Sequence, residues 1–114
     1  MSEAFEIERD GERNLAFNGV EVGDGEWCDE QGGWTLRVTI YRVVAQKPCY
    51  VVHSRRWGSV AERNWSRAEV CWTPGEVLEA LTVDGRLGAA SKAAWDVACE
   101  HDAELAPFKA ERVG

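Results

Sequence analysis

The chain has 114 residues and a mass of 12.7 kDa, and 45% of it is hydrophobic, which suffices for one core and leaves no room for two domains. A formal charge of −7 and a pI near 4.8 argue against coating nucleic acid or an anionic membrane through the overall field. The longest apolar run is four residues and the first residues are acidic, so neither a membrane span nor a secretory leader is expected, and the chain reads as cytoplasmic.

In chain order, apolar residues at Phe5 and Ile7 and again at Leu15 and Phe17 predict an antiparallel pair. Asp10-Gly11 would join them as a two-residue turn with positive φ at both positions. Asn18-Gly19 predicts another turn. Gly23-Asp24-Gly25 and Gln31-Gly32-Gly33 then predict an acidic, glycine-rich loop carrying Trp27 and Cys28, so residues 1–33 read as an acidic hairpin and loop.

From Trp34 the alternation is clean: Trp34, Leu36, Val38 and Ile40 point one way, and Thr35, Arg37, Thr39 and Tyr41 the other. Lys47-Pro48 supplies a turn, and residues 50–57 form the return strand. Pairing Val44 with Tyr50 stacks Val38, Ile40, Tyr50 and Val52 on an apolar face. The other face then collects Arg37, Thr39, Tyr41, Val51, His53, Arg55 and Trp57. Residues 66–72 read as one more strand with Ala68, Val70 and Trp72 inward, so 34–72 is a set of basic, aromatic strands.

Thr73-Pro74-Gly75-Glu76 is a helix start, with a capping threonine, proline at the first helical position and a glutamate to complete a capping box. The short helix it opens reaches residue 81 and is broken by Asp84-Gly85. A second helix is expected over 87–105, ended by Pro107, with Leu87, Ala90, Ala94, Val97, Ala98 and His101 inward and Trp95 at the edge. The helical part is thus 73–106. Strands first and helices last predict a single α+β domain over residues 1–114, an antiparallel sheet of four to five strands with two C-terminal helices on one face.

The four cysteines, Cys28, Cys49, Cys71 and Cys99, include no CxxC, and a cytoplasmic chain with an adequate core points to reduced, mostly buried thiols. Cys49 and His53 stand four apart in a predicted strand, about 13 Å along the chain, too far for one zinc. No metal and no cofactor is therefore assigned. The chain has no GxSxG, P-loop or HExxH pattern, and Ser91-Lys92 is adjacent rather than spaced to share a helical face. His53 cannot activate Ser54, because neighbours on a strand point oppositely, and His101 reads as a hydrogen-bonded core histidine. No catalytic residue is assigned, and the expectation is a non-enzymatic protein.

Charge divides along the chain: residues 1–30 hold ten acids and two bases, residues 31–73 seven bases and two acids, and residues 74–114 eight acids and four bases. Two binding surfaces follow. Glu21, Asp24, Glu26, Asp29 and Glu30 surround Trp27, and a rigid array of carboxylates anchored by an aromatic can occupy a basic nucleic-acid channel by imitating phosphates. Small acidic phage proteins that block restriction or CRISPR machinery are similar in size and charge balance. The leading expectation is therefore a protein-binding module, an inhibitor of phage or mobile-element type acting on a nucleic-acid-handling protein. The alternative is a nucleic-acid or nucleotide binder using Arg37, Tyr41, His53, Arg55 and Trp57, with Arg56, Arg63, Trp65 and Arg67 following. On that reading the bland arrangement is Arg37, Arg55 and Trp57 stacking on one another. A homodimeric structural subunit, joined through its sheet edge, is the third. Of the tryptophans, Trp34, Trp72 and Trp95 read as core, and Trp27, Trp57 and Trp65 as surface anchors.

The runs Asn14-Leu15-Ala16-Phe17-Asn18-Gly19-Val20, Val38-Thr39-Ile40-Tyr41-Arg42 and Cys49-Tyr50-Val51-Val52-His53 resemble a group of small bacterial proteins named for a C-terminal EXLDI motif. Gly75-Glu76-Val77-Leu78-Glu79-Ala80-Leu81 and Ala94-Trp95-Asp96-Val97-Ala98 are similar in outline. The final residues, Ala110-Glu111-Arg112-Val113-Gly114, lack the naming motif. The resemblance implies the α+β outline and no activity.

Overall fold

A computed structural model describes residues 2–111 and 113. The elements run β1 (Glu3–Ile7), β2 (Leu15–Asp29), β3 (Trp34–Val43), β4 (Cys49–Gly58), β5 (Trp65–Cys71), α1 (Pro74–Leu81), β6 (Thr82–Val83), β7 (Arg86–Leu87) and α2 (Ala89–His101). β1 to β5 form a five-stranded antiparallel sheet in sequence order, and β6 and β7 make a separate ribbon. Both helices pack on one face, as an α+β reading requires. Among the described residues no helix is long and apolar enough to cross a membrane.

Of the loop expected from Gly23 to Gly33, residues 23–29 are strand and only 30–33 form a turn, and Asn18-Gly19 is not a turn. β2 continues unbroken from Leu15 to Asp29, with Asn18 paired to Ala4 on one side and Gly19 paired to Val43 on the other. Gly23 and Gly25 are there for packing rather than for flexibility. A Cβ at Gly23 would run into the carbonyl of Ala94 and lie 2.7 Å from the Ala98 methyl; one at Gly25 would run into the carbonyl of Ala90 and lie 2.7 Å from the Ala94 amide. Glycines on the strand and alanines on α2 thus let helix and sheet backbones approach closely. Val22 is an extra residue between Glu21↔Tyr41 and Gly23↔Ile40, a β-bulge.

Asp10-Gly11 does not form the expected two-residue turn. β1 pairs with β2 in the register Ile7↔Leu15, leaving residues 8–14 as a longer loop, and only Gly11 has positive φ. That loop is held by other partners: Asp10 N donates to Ser66 O at 3.0 Å, Ser66 N donates to Asp10 Oδ2 at 3.0 Å, and Ser66 Oγ donates to Glu8 O at 2.7 Å. The chain just beyond β1 therefore touches β5 at the far edge, and the sheet curls around a hollow. The turn with two positive φ values is instead Asp84-Gly85, at 51° and 76°, which joins β6 to β7. A pattern read only as a helix breaker proves to be the hairpin.

The face assignment of β3 and β4 holds, but the pairing lies two residues away from the one expected: Arg42 faces Tyr50 and Val43 faces Cys49. Val44 is unavailable to Tyr50 because its amide donates to Asn18 O on β2 at 2.8 Å. On β5 the inward residue is Cys71, not Trp72, which is 50% exposed beneath the Lys47 ammonium, 4.9 Å from the ring centroid. Val70 is also exposed, while Ala68 is buried as expected. Trp95, placed at an edge by the sequence, is 2% exposed at the centre of the core.

The capping box is present: Thr73 Oγ1 accepts from Glu76 N at 3.1 Å and Glu76 Oε2 accepts from Thr73 N at 3.0 Å. α2 is shorter than expected and its buried stripe is Ala90, Ala94, Trp95, Ala98 and Cys99. Val97 and His101 are exposed; the His101 Nδ1–H donates to Val97 O at 2.9 Å, so this is no core histidine. The helix stops at Asp102, which is 3% exposed. Its Oδ1 accepts from Tyr50 Oη and the amides of Glu104 and Leu105, and its Oδ2 from Arg42 at 3.2 Å. Tyr50's phenol is pushed upward first by burial and then by Asp102. A second apolar cluster, Ile7, Val43, Cys49, Val51 and Ala68 with Leu15, Phe17 and Tyr41, fills the hollow on the face away from the helices. The four thiols are free; Cys49, Cys71 and Cys99 are buried and Cys28 is exposed. Burial holds Cys71 up at about 12, far from a reactive thiolate.

Candidate binding site

The face that lines the hollow ends, toward its mouth, in polar residues in register across three strands. Glu26 faces Arg37, which faces Arg55; Asp24 faces Thr39, which faces His53; Glu21 faces Tyr41. Without the bulge at Val22, Glu21 and Asp24 would stand on opposite faces; with it they stand on one. Glu21, Arg37, Thr39, Tyr41, His53 and Arg55 line a recess of about 160 Å³. Its floor continues into the aromatic cluster of Phe5, Phe17 and Tyr41, whose ring centroids lie 4.7–5.5 Å apart.

Two guanidinium groups directly opposite on neighbouring strands repel. Asp24 offsets one of them: its carboxylate accepts from Arg37 Nε at 2.9 Å and Nη2 at 3.0 Å, and from Thr39 Oγ1 at 3.0 Å. This bidentate pair keeps Arg37 more firmly charged than an ordinary arginine. Arg55 has no carboxylate partner among the described residues; its guanidinium lies over the Trp57 ring, 4.7 Å from the centroid. Stacking holds the planar group in place and leaves its edge free to donate. Arg37, expected in that stack, pairs with Asp24 instead.

His53 is half-buried, and its Nε2 lies 2.9 Å from Ser66 Oγ. Because that hydroxyl donates to Glu8 O, it accepts from the histidine, which fixes Nε2 as the protonated nitrogen. Burial, followed by the charges of Arg55 and Arg37, lowers the His53 pKa below its usual 6.5. Tyr41 is raised, first by burial and then by Glu21.

The acidic set and the arginine set are therefore not two separate surfaces. Glu21, Asp24 and Glu26 share a face with Arg37, Tyr41, His53, Arg55 and Trp57. Trp27 is on the other side of β2, 42% exposed, its ring 4.9 Å from that of Trp34. Asp29 caps a turn by accepting from the Gly32 amide at 2.9 Å, and Glu30 is exposed in that turn. The carboxylates thus do not surround Trp27. Trp34 is half-buried rather than core, under Arg56 at 4.3 Å, and Arg67 lies over Trp65 at 4.4 Å on the same side.

Comparison with family models, with curated proteins and with solved structures gave no match.

Proposed function

We propose that the protein is a non-catalytic binding module that takes a small phosphate-bearing ligand of the nucleotide class in the recess of Arg37, Tyr41, His53 and Arg55. The observation that supports this most is the direct opposition of Arg37 and Arg55 with a carboxylate on only one of them. Like charges in register cost stability, and an external anion bridging the pair would offset the cost. Tyr41 and Trp57 add flat surfaces for a base or sugar at the rim. A charge of −7 opposes a long polyanion but leaves a short-range site for one phosphate group open. The acidic-inhibitor reading draws less support, since Asp24 is engaged by Arg37 and Thr39, Asp29 by a turn amide, and Trp27 faces away.

The test is titration with a fluorescent nucleoside triphosphate, in competition with inorganic phosphate and with the free nucleoside. Arg55→Ala should weaken binding ten- to a hundredfold, the worth of a hydrogen bond to a charged group. It should also reduce the dependence on salt. Neutralising Glu21 and Glu26 to glutamine should tighten binding. Affinity unchanged in Arg55→Ala, or insensitive to salt, overturns the proposal. Capture of a nucleic-acid-handling protein from nuclease-treated lysate, lost when Glu21 and Glu26 are neutralised, would move the assignment to the acidic surface.

A further inference from the structure

On the opposite side of the sheet a second cavity opens, of about 320 Å³, enclosed by β3, β4 and β5 below and by α1, β6 and the start of α2 above. Its walls are apolar: Leu36, Val38, Val52, Ala80, Leu81 and Val83. Val38, Val52 and Leu81 are at most 3% exposed, so the cavity reaches the main core. Within it Ser54 and Ser91 present hydroxyl groups that, among the described residues, have no hydrogen-bond partner in the protein. At the mouth stand Trp65, Arg67 and Glu69. Arg67 is stacked on Trp65 and forms no ion pair among the described residues.

An apolar chamber of this volume with a few convergent polar groups has the make-up of a small-molecule pocket rather than of a packing defect. A native core leaves few voids larger than a water molecule. Beside Glu69 at the mouth, Arg67 is held flat on the indole and offers a planar fork for a carboxylate. We infer that this cavity binds an amphipathic acid, a medium-chain fatty acid or an arylcarboxylate, with its apolar body between sheet and helices and its carboxylate on Arg67. The hydroxyls of Ser54 and Ser91 accommodate one further polar atom along the body. This site shares no residue with the Arg37 and Arg55 recess and stands or falls separately from it.

The experiment uses anilinonaphthalenesulfonate as the probe and decanoate and decanol as competitors, with the intact protein. The expected result is a saturable, one-to-one rise in fluorescence, reversed by decanoate. Ser54→Phe, which fills the chamber from the middle of β4, should abolish it while the circular dichroism stays unchanged. Should that variant not fold, Ser91→Leu fills the same space from α2. Arg67→Gln should weaken decanoate roughly tenfold, the loss of a charge-assisted bond, and leave decanol within a factor of two. Arg55→Ala should leave both unaffected. Fluorescence that does not saturate, that survives the filling variants, or that follows Arg55 rather than Arg67 overturns the inference.

Discussion

His53 couples the recess to the closure of the sheet, because the ring that lines the pocket also donates to Ser66, and Ser66 holds the chain beyond β1. Burial and two arginines depress its pKa, so in the fold the ring is neutral where the unfolded chain would already take up a proton. The sign follows: the unfolded state binds more protons as the pH falls below 6.5, and stability declines with it, whereas above that value the contribution is level. Thermal melts across this range should show wild type losing stability on acidification relative to His53→Gln, which keeps a donor toward Ser66 and does not titrate. Equal pH dependence in the two proteins would show that His53 is not the titrating group. A phosphate in the recess favours the charged ring, so nucleotide affinity should climb as the pH falls through the same region. None of this was legible from His53 alone. Its partner is thirteen residues away on β5, and the sequence set Ser54 beside it only to rule that pair out.

At the scale of elements, the contact between β2 and α2 depends on the absence of side chains. Gly25→Ala places a methyl against the backbone of α2 and should destabilise by about 1–3 kcal/mol, the usual cost of overpacking. Gly75→Ala, in the first turn of α1 with only Thr73 Oγ1 at 3.8 Å nearby, should instead stabilise by about 0.5 kcal/mol through the unfolded chain. Urea melts of the two variants read the opposite signs directly. The alternation of β3 and β4 and the capping box of α1 were legible because both are local: period two marks a pleat, and Thr73 reaches Glu76 within one turn. The glycines of β2 were not, since the reason for them lies on a helix some seventy residues further along the chain. The same division separates the two Asp-Gly pairs. Asp84-Gly85 directly joins the paired Val83 and Arg86, whereas Asp10 is bonded to Ser66 on β5 and lies in a longer loop.

Across the whole molecule, Asp102 ties the helical layer to the sheet. Its carboxylate is fully enclosed and bonds Arg42 and Tyr50 on neighbouring strands while capping the amides that follow α2. Asp102→Ala would leave the Glu104 and Leu105 amides without their acceptor, and Arg42 and the Tyr50 hydroxyl with Glu104 alone, and should cost about 1–3 kcal/mol. Hydrogen exchange should show the loss concentrated at the end of α2, and protection unchanged there would mean that the helix is held by packing alone. The sheet beneath has a different vulnerability. Val22 splits β2 into halves of opposite phase, and only the odd residue between them lets Phe17 and Asp24 look into the same hollow. Loss of that one codon would leave the composition almost untouched and invert the address of every side chain on one half of the strand. Asp24 would turn toward the helices and Arg37 would lose its counter-charge, or Phe17 would turn out into water. In this chain a single in-frame deletion acts on inside and outside much as a shifted reading frame acts on a message.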